Sequence, residues 1–201
     1  GLPLPRHDRA EAERLLDAAG WRREGEGPRV ARGAAGVADG TRLALDFLHF
    51  PAFAKYGELL RQQLGAVGIA LTPRPLEPAA FAPVVFRDRN FDTNVISYCN
   101  GPDPEIGVRR MYHSSQIGPA PFTNAAGYRH PRVDALFDQA ARTVDREARG
   151  RLYREIQEIL VQDLPYLWLV ETPTTRAWTA RCGGFKPWTG LFAEAASCAR
   201  P

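Results

Sequence analysis

A strand–helix–strand pattern between residues 42 and 75 constrains the fold more than any other feature of the chain. Residues 43–50, LALDFLHF, alternate apolar and polar positions and then meet Pro51, which predicts a strand of about eight residues. Residues 52–67 carry apolar side chains at helical spacing, and residues 69–72 predict a second strand. Since a crossover helix joins them, we expect two parallel strands in a right-handed βαβ unit.

The rest of the chain continues this alternation. Asp8 has the position of an N-cap, residues 22–40 predict a loop or weak hairpin, and Pro73 and Pro75 should end the second strand. We expect further helices over 8–19, 78–85, 104–112, 132–143 and 145–163, and further strands over 91–98 and 164–170. This pattern predicts an α/β fold with a mixed or parallel sheet flanked by helices, which would bind ligands outside the carboxyl ends of its strands.

Charge and composition narrow the range of partners. The 26 Lys and Arg residues nearly balance 23 Asp and Glu, and the arginines are spread along the chain, so nucleic-acid binding is not expected. No apolar run approaches the roughly 20 residues of a membrane helix. The first seven residues look like a linker, and Met111 is the only methionine. We therefore expect a piece of a longer protein.

The chain has three cysteines, Cys99, Cys182 and Cys198. A disulfide between Cys182 and Cys198 would close a loop of about 15 residues and stabilise the fold by roughly 3 kcal/mol. The alternative is three unrelated thiols, and the sequence does not decide between the two. No cysteine and histidine residues are spaced as metal ligands, so neither a metal nor a cofactor is expected.

Sequence signatures of catalysis are absent. There is no GxSxG elbow, GxGxxG, Walker A loop or HExxH motif, and we expect no enzyme. Asp103 and Glu105 could form a general acid and base pair, but they lie two residues apart beside Pro104. We favour a structural turn in which Asp103 is a helix N-cap and Glu105 a first-turn carboxylate.

Several segments follow recognisable patterns in a fixed order. Residues 8–21, DRAEAERLLDAAGW, have the form D-x-x-x-A-x-x-L-L-x-x-A-G-aromatic. The others are LLRQQLGAVGIALT, NFDTNVISYCNGPDPE, NAAGYRHPRVDALFDQA and REARGRLYREIQEILVQDLPYLWL. In order and spacing, over about residues 8–185, these segments resemble extracellular solute-binding protein family 5, the dipeptide-, oligopeptide- and nickel-binding receptors of ABC transporters.

This resemblance implies a type II periplasmic-binding-protein fold of two lobes that close on a solute without catalysis. Residues 8–170 would be the C-terminal ligand-binding lobe, and residues 171–201 the tail that returns toward the other lobe. The resemblance further implies a periplasmic or extracellular location and an ABC permease in the membrane as partner. An isolated lobe would expose apolar surface and could self-associate.

The resemblance also indicates site residues. In its peptide-binding members an aspartate three residues before the D-P pair receives the ligand's amino group, and that position is Asn100 here. The family's tryptophan is replaced by Ser97. Because an amide carries no charge, these two departures argue against a free peptide. We expect Ser97, Tyr98, Asn100 and Asn124 to contact a small solute; the alternative is a ligand-sensing effector domain of a transcriptional regulator.

Overall fold

The computed structural model describes residues 2, 6–101, 103–171, 177, 179–183 and 197–198. The chain divides into two compact units, residues 1–165 and residues 166–201. The boundary falls inside the segment 164–170, which was predicted as a strand. No strand forms there: Leu164 takes a left-handed conformation (φ 48°) that ends the preceding helix, and residues 165–170 pair with no strand among the described residues.

The first unit is built on a parallel three-stranded sheet in the order β4-β3-β5, formed by β3 (Ala44–His49), β4 (Ala70–Pro75) and β5 (Thr93–Asn94). The central strand β3 pairs in parallel with both neighbours, which confirms the predicted parallel pair. Helix α2 (Ala54–Ala66) is the crossover between β3 and β4. It lies close to the sheet, since a Cβ at Gly57 would approach the Pro73 Cβ to 3.3 Å.

The prolines of β4 do not end the strand as predicted. Pro73 and Pro75 are both inside β4, which is an edge strand. The backbone N–H of Ala70 donates to Leu43 O, and that of Leu76 donates to His49 O. The backbone N positions of the alternate residues 71, 73 and 75 therefore point away from β3. Proline is compatible with such positions because no ladder hydrogen bond is lost there.

Helices cover the remaining faces and ends of the unit. These are α1 (Arg9–Ala18), α3 (Pro78–Ala82), α4 (Pro104–Gly107), α5 (Arg109–Tyr112), α6 (Pro131–Arg142) and α7 (Arg146–Asp163), with a π-helical turn over Pro83–Asp88. A small hairpin consists of β1 (Trp21–Arg22) and β2 (Val30–Ala31). Asp8 caps α1 and Asp145 caps α7 through their side chains. No helix among the described residues is both long and apolar enough to cross a bilayer.

The strand predicted over 91–98 is much shorter than its apolar run indicated. Only Thr93 and Asn94 pair with β3, and Val95 adds one backbone hydrogen bond to Leu48 O (2.9 Å). Beyond Val95 the backbone leaves the sheet without regular structure. The residues that follow are therefore held by side-chain contacts and not by a strand ladder.

In the second unit, β6 (Cys182–Gly183) and β7 (Ser197–Cys198) form an antiparallel pair in which Cys182 and Cys198 are register partners. Cys182 is disulfide-bonded, whereas Cys99 is a free thiol. The pairing of Cys182 with Cys198 stays a prediction. Most of the predicted tail, residues 171–201, lies outside the described residues.

Candidate functional site

The candidate site lies at the carboxyl edge of the sheet. Strands β3, β4 and β5 are parallel, so their carboxyl ends meet at one edge, which is where open α/β sheets bind ligands. Residues 97–100 follow β5 beyond this edge. We call Ser97, Tyr98, Cys99 and Asn100 the 97–100 segment.

The 97–100 segment presents three exposed side chains and one half-buried one. Ser97, Cys99 and Asn100 are exposed, and Tyr98 is half-buried. Together they offer a hydroxyl, an amide and a thiol to solvent, none of which carries a fixed charge. The predicted contacts Ser97 and Asn100 are thus both exposed in the same short segment, whereas Tyr98 is half-buried.

Tyr98 fastens the 97–100 segment to the loop of residues 118–127. Its hydroxyl donates to the Thr123 backbone carbonyl at 2.8 Å. Its ring meets the Phe122 ring edge-on, with centroids 6.4 Å apart, a favoured aromatic geometry. Tyr98 therefore joins the segment to this loop, and whether it also contacts a solute stays a prediction.

Phe122 is a candidate contact that the sequence analysis missed. It has a left-handed backbone (φ 60°), an uncommon conformation for a bulky residue, and its side chain is 41% exposed. Its ring also lies 6.2 Å from the Phe86 ring, centroid to centroid. Backbone strain of this kind is concentrated at functional sites. The available signal was one large apolar residue in a loop of glycine, proline and small residues.

Asn124 requires a correction. It is 0% exposed, although it was predicted to contact a solute. Its Nδ2 donates to the backbone carbonyls of Tyr128 (2.9 Å), Tyr112 and His113 (both 3.3 Å), while its Oδ1 accepts from Tyr128 N (3.0 Å). No atom of Asn124 is left for a solute. Its function in this structure is to hold the loop of residues 118–127 against the end of α5.

The side-chain amide of Asn100, in contrast, makes few contacts with the described residues. Its Nδ2 lies 3.6 Å from the Met111 sulfur, and among the described residues its Oδ1 accepts no hydrogen bond. Its backbone is fixed more tightly, since a Cβ at Gly107 would come within 2.9 Å of the Asn100 Cα. The backbone is therefore positioned by α4, and the amide oxygen is available to a solute.

Asp103 and Glu105 make structural contacts at the start of α4, the helix that packs against Asn100. The Asp103 carboxylate caps α4 by accepting from Glu105 N (2.9 Å) and receives a second bond from the Arg149 guanidinium (2.6 Å). That guanidinium, and then the backbone N–H, hold the pKa of Asp103 below its ordinary value. Glu105 pairs with Arg109 at 3.3 Å. Both carboxylates are thus engaged in structural contacts.

His49, at the carboxyl end of β3, does not reach this surface. It is 3% exposed, and its Nδ1 lies 2.8 Å from the backbone oxygen of Phe50. Within the described parts of the chain, no three histidine, cysteine or carboxylate side chains come together as a metal would require. The site described above consists of the neutral polar groups of the 97–100 segment and the ring of Phe122.

Comparison with solved structures defines the fold. AppA from Bacillus subtilis, an oligopeptide-binding protein solved with a nonapeptide, superposes with a TM-score of 0.69 at 22% identity, over 83% of this chain and 32% of AppA. NikZ from Campylobacter jejuni, solved with Ni(L-His), gives a TM-score of 0.70 at 20% identity, over 82% of this chain and 32% of NikZ. The chain has the fold of a periplasmic-binding-protein lobe.

Sequence comparison gives a further relative. Protein XP55 from Streptomyces lividans is 33% identical over 175 residues, which is 84% of this chain and 29% of XP55. No protein-family model matches the chain. The chain spans about a third of the length of AppA and of NikZ, and slightly less than a third of the length of XP55. AppA is thus an oligopeptide-binding protein with a bound peptide, and NikZ is a protein with a bound nickel complex.

Proposed function

We propose that this chain is the C-terminal ligand-binding lobe of a substrate-binding protein that serves an ABC importer. The protein would take a small solute into a cleft between two lobes, outside the cytoplasm, and deliver it to a membrane permease. Hinge closure around the solute is the expected signal to the permease. The observation that carries this proposal is the exposed 97–100 segment at the carboxyl edge of a parallel sheet.

The construction of this surface supports a binding role. The exposed groups are fixed from behind by a hydrogen bond from Tyr98 to Thr123 O and by the close approach of Gly107 to Asn100. A binding surface gains affinity when its groups are positioned before the solute arrives, because less ordering entropy is lost on binding. The half-exposed Phe122 ring would supply an apolar wall beside these polar groups.

The chemistry of the surface bears on the class of solute. AppA is solved with a peptide and NikZ with a nickel complex, so this fold accommodates quite different solutes. In this chain, the position that the resemblance aligns with an ammonium-binding aspartate is the neutral amide of Asn100. We infer that the solute does not depend on a free ammonium group at this position.

Native mass spectrometry of the complete protein that carries this chain tests the proposal. We expect a small molecule to co-purify, and its mass would identify the solute class. The variant Asn100→Ala should retain less of it, because the exposed amide is lost. The matched control is Asn90→Ala, which removes another exposed asparagine at the amino end of β5 and should retain the solute fully.

The proposal fails if the complete protein is empty and shows no thermal shift with peptides, sugars or metal chelates. Equal retention of solute by Asn100→Ala and Asn90→Ala would remove the 97–100 segment from the site. A DNA-binding domain elsewhere in the same protein would instead favour the effector domain of a regulator.

A further inference from the structure

Around α4 and α5, charged side chains are paired with one exception. The ion pairs are Asp103–Arg149 (2.6 Å), Glu105–Arg109 (3.3 Å) and Arg109–Asp138 (2.6 Å). Arg110, the next residue of α5, has no carboxylate oxygen within 4 Å among the described residues. Arg110 is therefore the arginine of this group whose guanidinium is not engaged by a carboxylate.

Arg110 is held in place by uncharged groups of the candidate site. Its Nε donates to Gly107 O and its Nη2 to Cys99 O, both at 3.2 Å. Its guanidinium carbon lies 6.0 Å from the centroid of the Tyr98 ring, within the range of a cation–π contact. These contacts place the guanidinium directly against the 97–100 segment, at the peptide group that precedes Asn100.

This arrangement leaves part of the guanidinium available. A guanidinium has five N–H donors in a planar fork, and the two bonds to backbone carbonyls involve only Nε and Nη2. The two N–H groups of Nη1 and one of Nη2 remain, and they form the edge that binds a carboxylate or phosphate through two parallel hydrogen bonds. Because Arg110 is already anchored, little side-chain entropy would be lost on binding.

Resting on the proposed function, we infer that Arg110 binds an anionic oxygen group of the solute, a carboxylate or a phosphate. Asn100 would add a neutral hydrogen bond beside it. The neighbouring carboxylates are directed at other arginines, since Asp103 pairs with Arg149, and Glu105 and Asp138 share Arg109. The site would therefore prefer an anionic solute to its neutral counterpart.

Isothermal titration of the complete protein with matched probes tests this inference. The carboxylate pairs are N-acetyl-trialanine with its amide and galacturonate with galactose; galactose 1-phosphate tests the phosphate. In a pair that binds, we expect the anion to bind about tenfold or more tightly than the neutral member, because a charge-assisted hydrogen bond is lost in the latter. Preference for galactose 1-phosphate over galacturonate would identify the group as a phosphate, and the reverse as a carboxylate.

Arg110 variants show whether this residue causes the preference. Arg110→Gln should lose the preference for the anion, because its affinity for the anion should fall by much more than its affinity for the neutral member. Arg110→Lys should keep part of the preference, as a point charge without the fork. Arg151→Gln makes the same charge change at an exposed arginine of α7 and should behave as the unaltered protein.

Three results would overturn the inference: a preference that survives in Arg110→Gln, a panel in which no anion binds more tightly than its neutral partner, or a co-purified solute without an anionic group. A neutral solute retained equally by Arg110→Gln would overturn this inference and leave the proposed function standing. An empty complete protein would instead count against the proposed function.

Discussion

Two asparagines with similar sequence surroundings differ in burial and in hydrogen bonding in this structure. Asn124 is fully buried and uses its amide to bond four backbone groups. Asn100 is exposed, and among the described residues its amide has one hydrogen-bond partner, the Met111 sulfur at 3.6 Å. Both lie in irregular segments near glycine and proline, and both were expected to contact a solute.

The difference distinguishes residues whose polar atoms bond other parts of the protein from residues whose polar atoms are exposed. Asn124 and Tyr98 connect the loop of residues 118–127 to α5 and to the 97–100 segment, and their polar atoms are used for that purpose. Asn100 and Ser97 are the exposed polar residues of the segment that these bonds hold in place. Stability and solute binding should therefore respond to different residues, and the following variants test that separation.

Asn124→Ala should have the largest effect on folding. It leaves the carbonyls of Tyr112, His113 and Tyr128 and one backbone N–H without their partner in a buried place. Since each unsatisfied buried group costs about 1–3 kcal/mol, we expect the free energy of unfolding to fall by about 3 kcal/mol. Urea unfolding measures this; a loss of less than about 0.5 kcal/mol would remove the distinction between the two asparagines.

Tyr98→Phe should have an intermediate effect. It keeps the ring and removes the hydroxyl that donates to Thr123 O at 2.8 Å. We expect a loss of about 1 kcal/mol in the free energy of unfolding. If Tyr98 is support only, binding of the solute under fully folded conditions should change little. A loss of affinity much larger than the loss of stability would instead make the hydroxyl a direct contact.

The ion pair between Asp103 and Arg149 should contribute less and depend on pH. Asp103→Asn keeps a capping side chain but removes the charge, and since the carboxylate is 37% exposed we expect a loss below about 1 kcal/mol at pH 7. The folded-state pKa of Asp103 is lowered, so this stabilisation is present above the ordinary carboxyl pKa and is lost as pH falls through the lowered value.

Thermal unfolding of Asp103→Asn and the unaltered chain across pH tests this sign. The two curves should converge only as the pH falls through the lowered folded-state pKa of Asp103, because the carboxyl is then protonated in the folded state as well as in the unfolded one. A difference that persists unchanged into acid would assign the effect of the substitution to the cap and not to the ion pair.

Asn100→Ala should have the smallest effect on stability. Removing an exposed amide with one weak sulfur contact should change the free energy of unfolding by less than about 0.5 kcal/mol. The same variant should reduce retention of the solute in the complete protein. A stability loss like that of Asn124→Ala would show that the 97–100 segment is built for folding and not for binding.

Local signals predicted most of the regular structure. The capping aspartates Asp8 and Asp145 and the helical periodicity located α1, α2 and α7 to within a few residues, because caps and apolar spacing act over one or two turns. The strands were less predictable. The apolar run of residues 91–98 was read as one strand, but only two of its residues pair with β3, and strand pairing depends on partners distant in sequence.

The candidate site was predictable in position and less so in composition. The rule for parallel sheets located the 97–100 segment, and the resemblance directed attention to Ser97 and Asn100. Burial could not be read from the sequence, which is why Asn124 was expected at the surface. Phe122 and Arg110 were not anticipated, since the case for them depends on a left-handed backbone and on the absence of a carboxylate near Arg110 among the described residues.

The prolines of β4 have a consequence for the behaviour of the protein in concentrated solution. An exposed sheet edge can recruit a strand from another molecule and begin intermolecular aggregation. Pro73 and Pro75 occupy the outward-facing positions of β4 and have no N–H to offer an incoming strand. Addition of a strand along this edge of the folded sheet is therefore disfavoured.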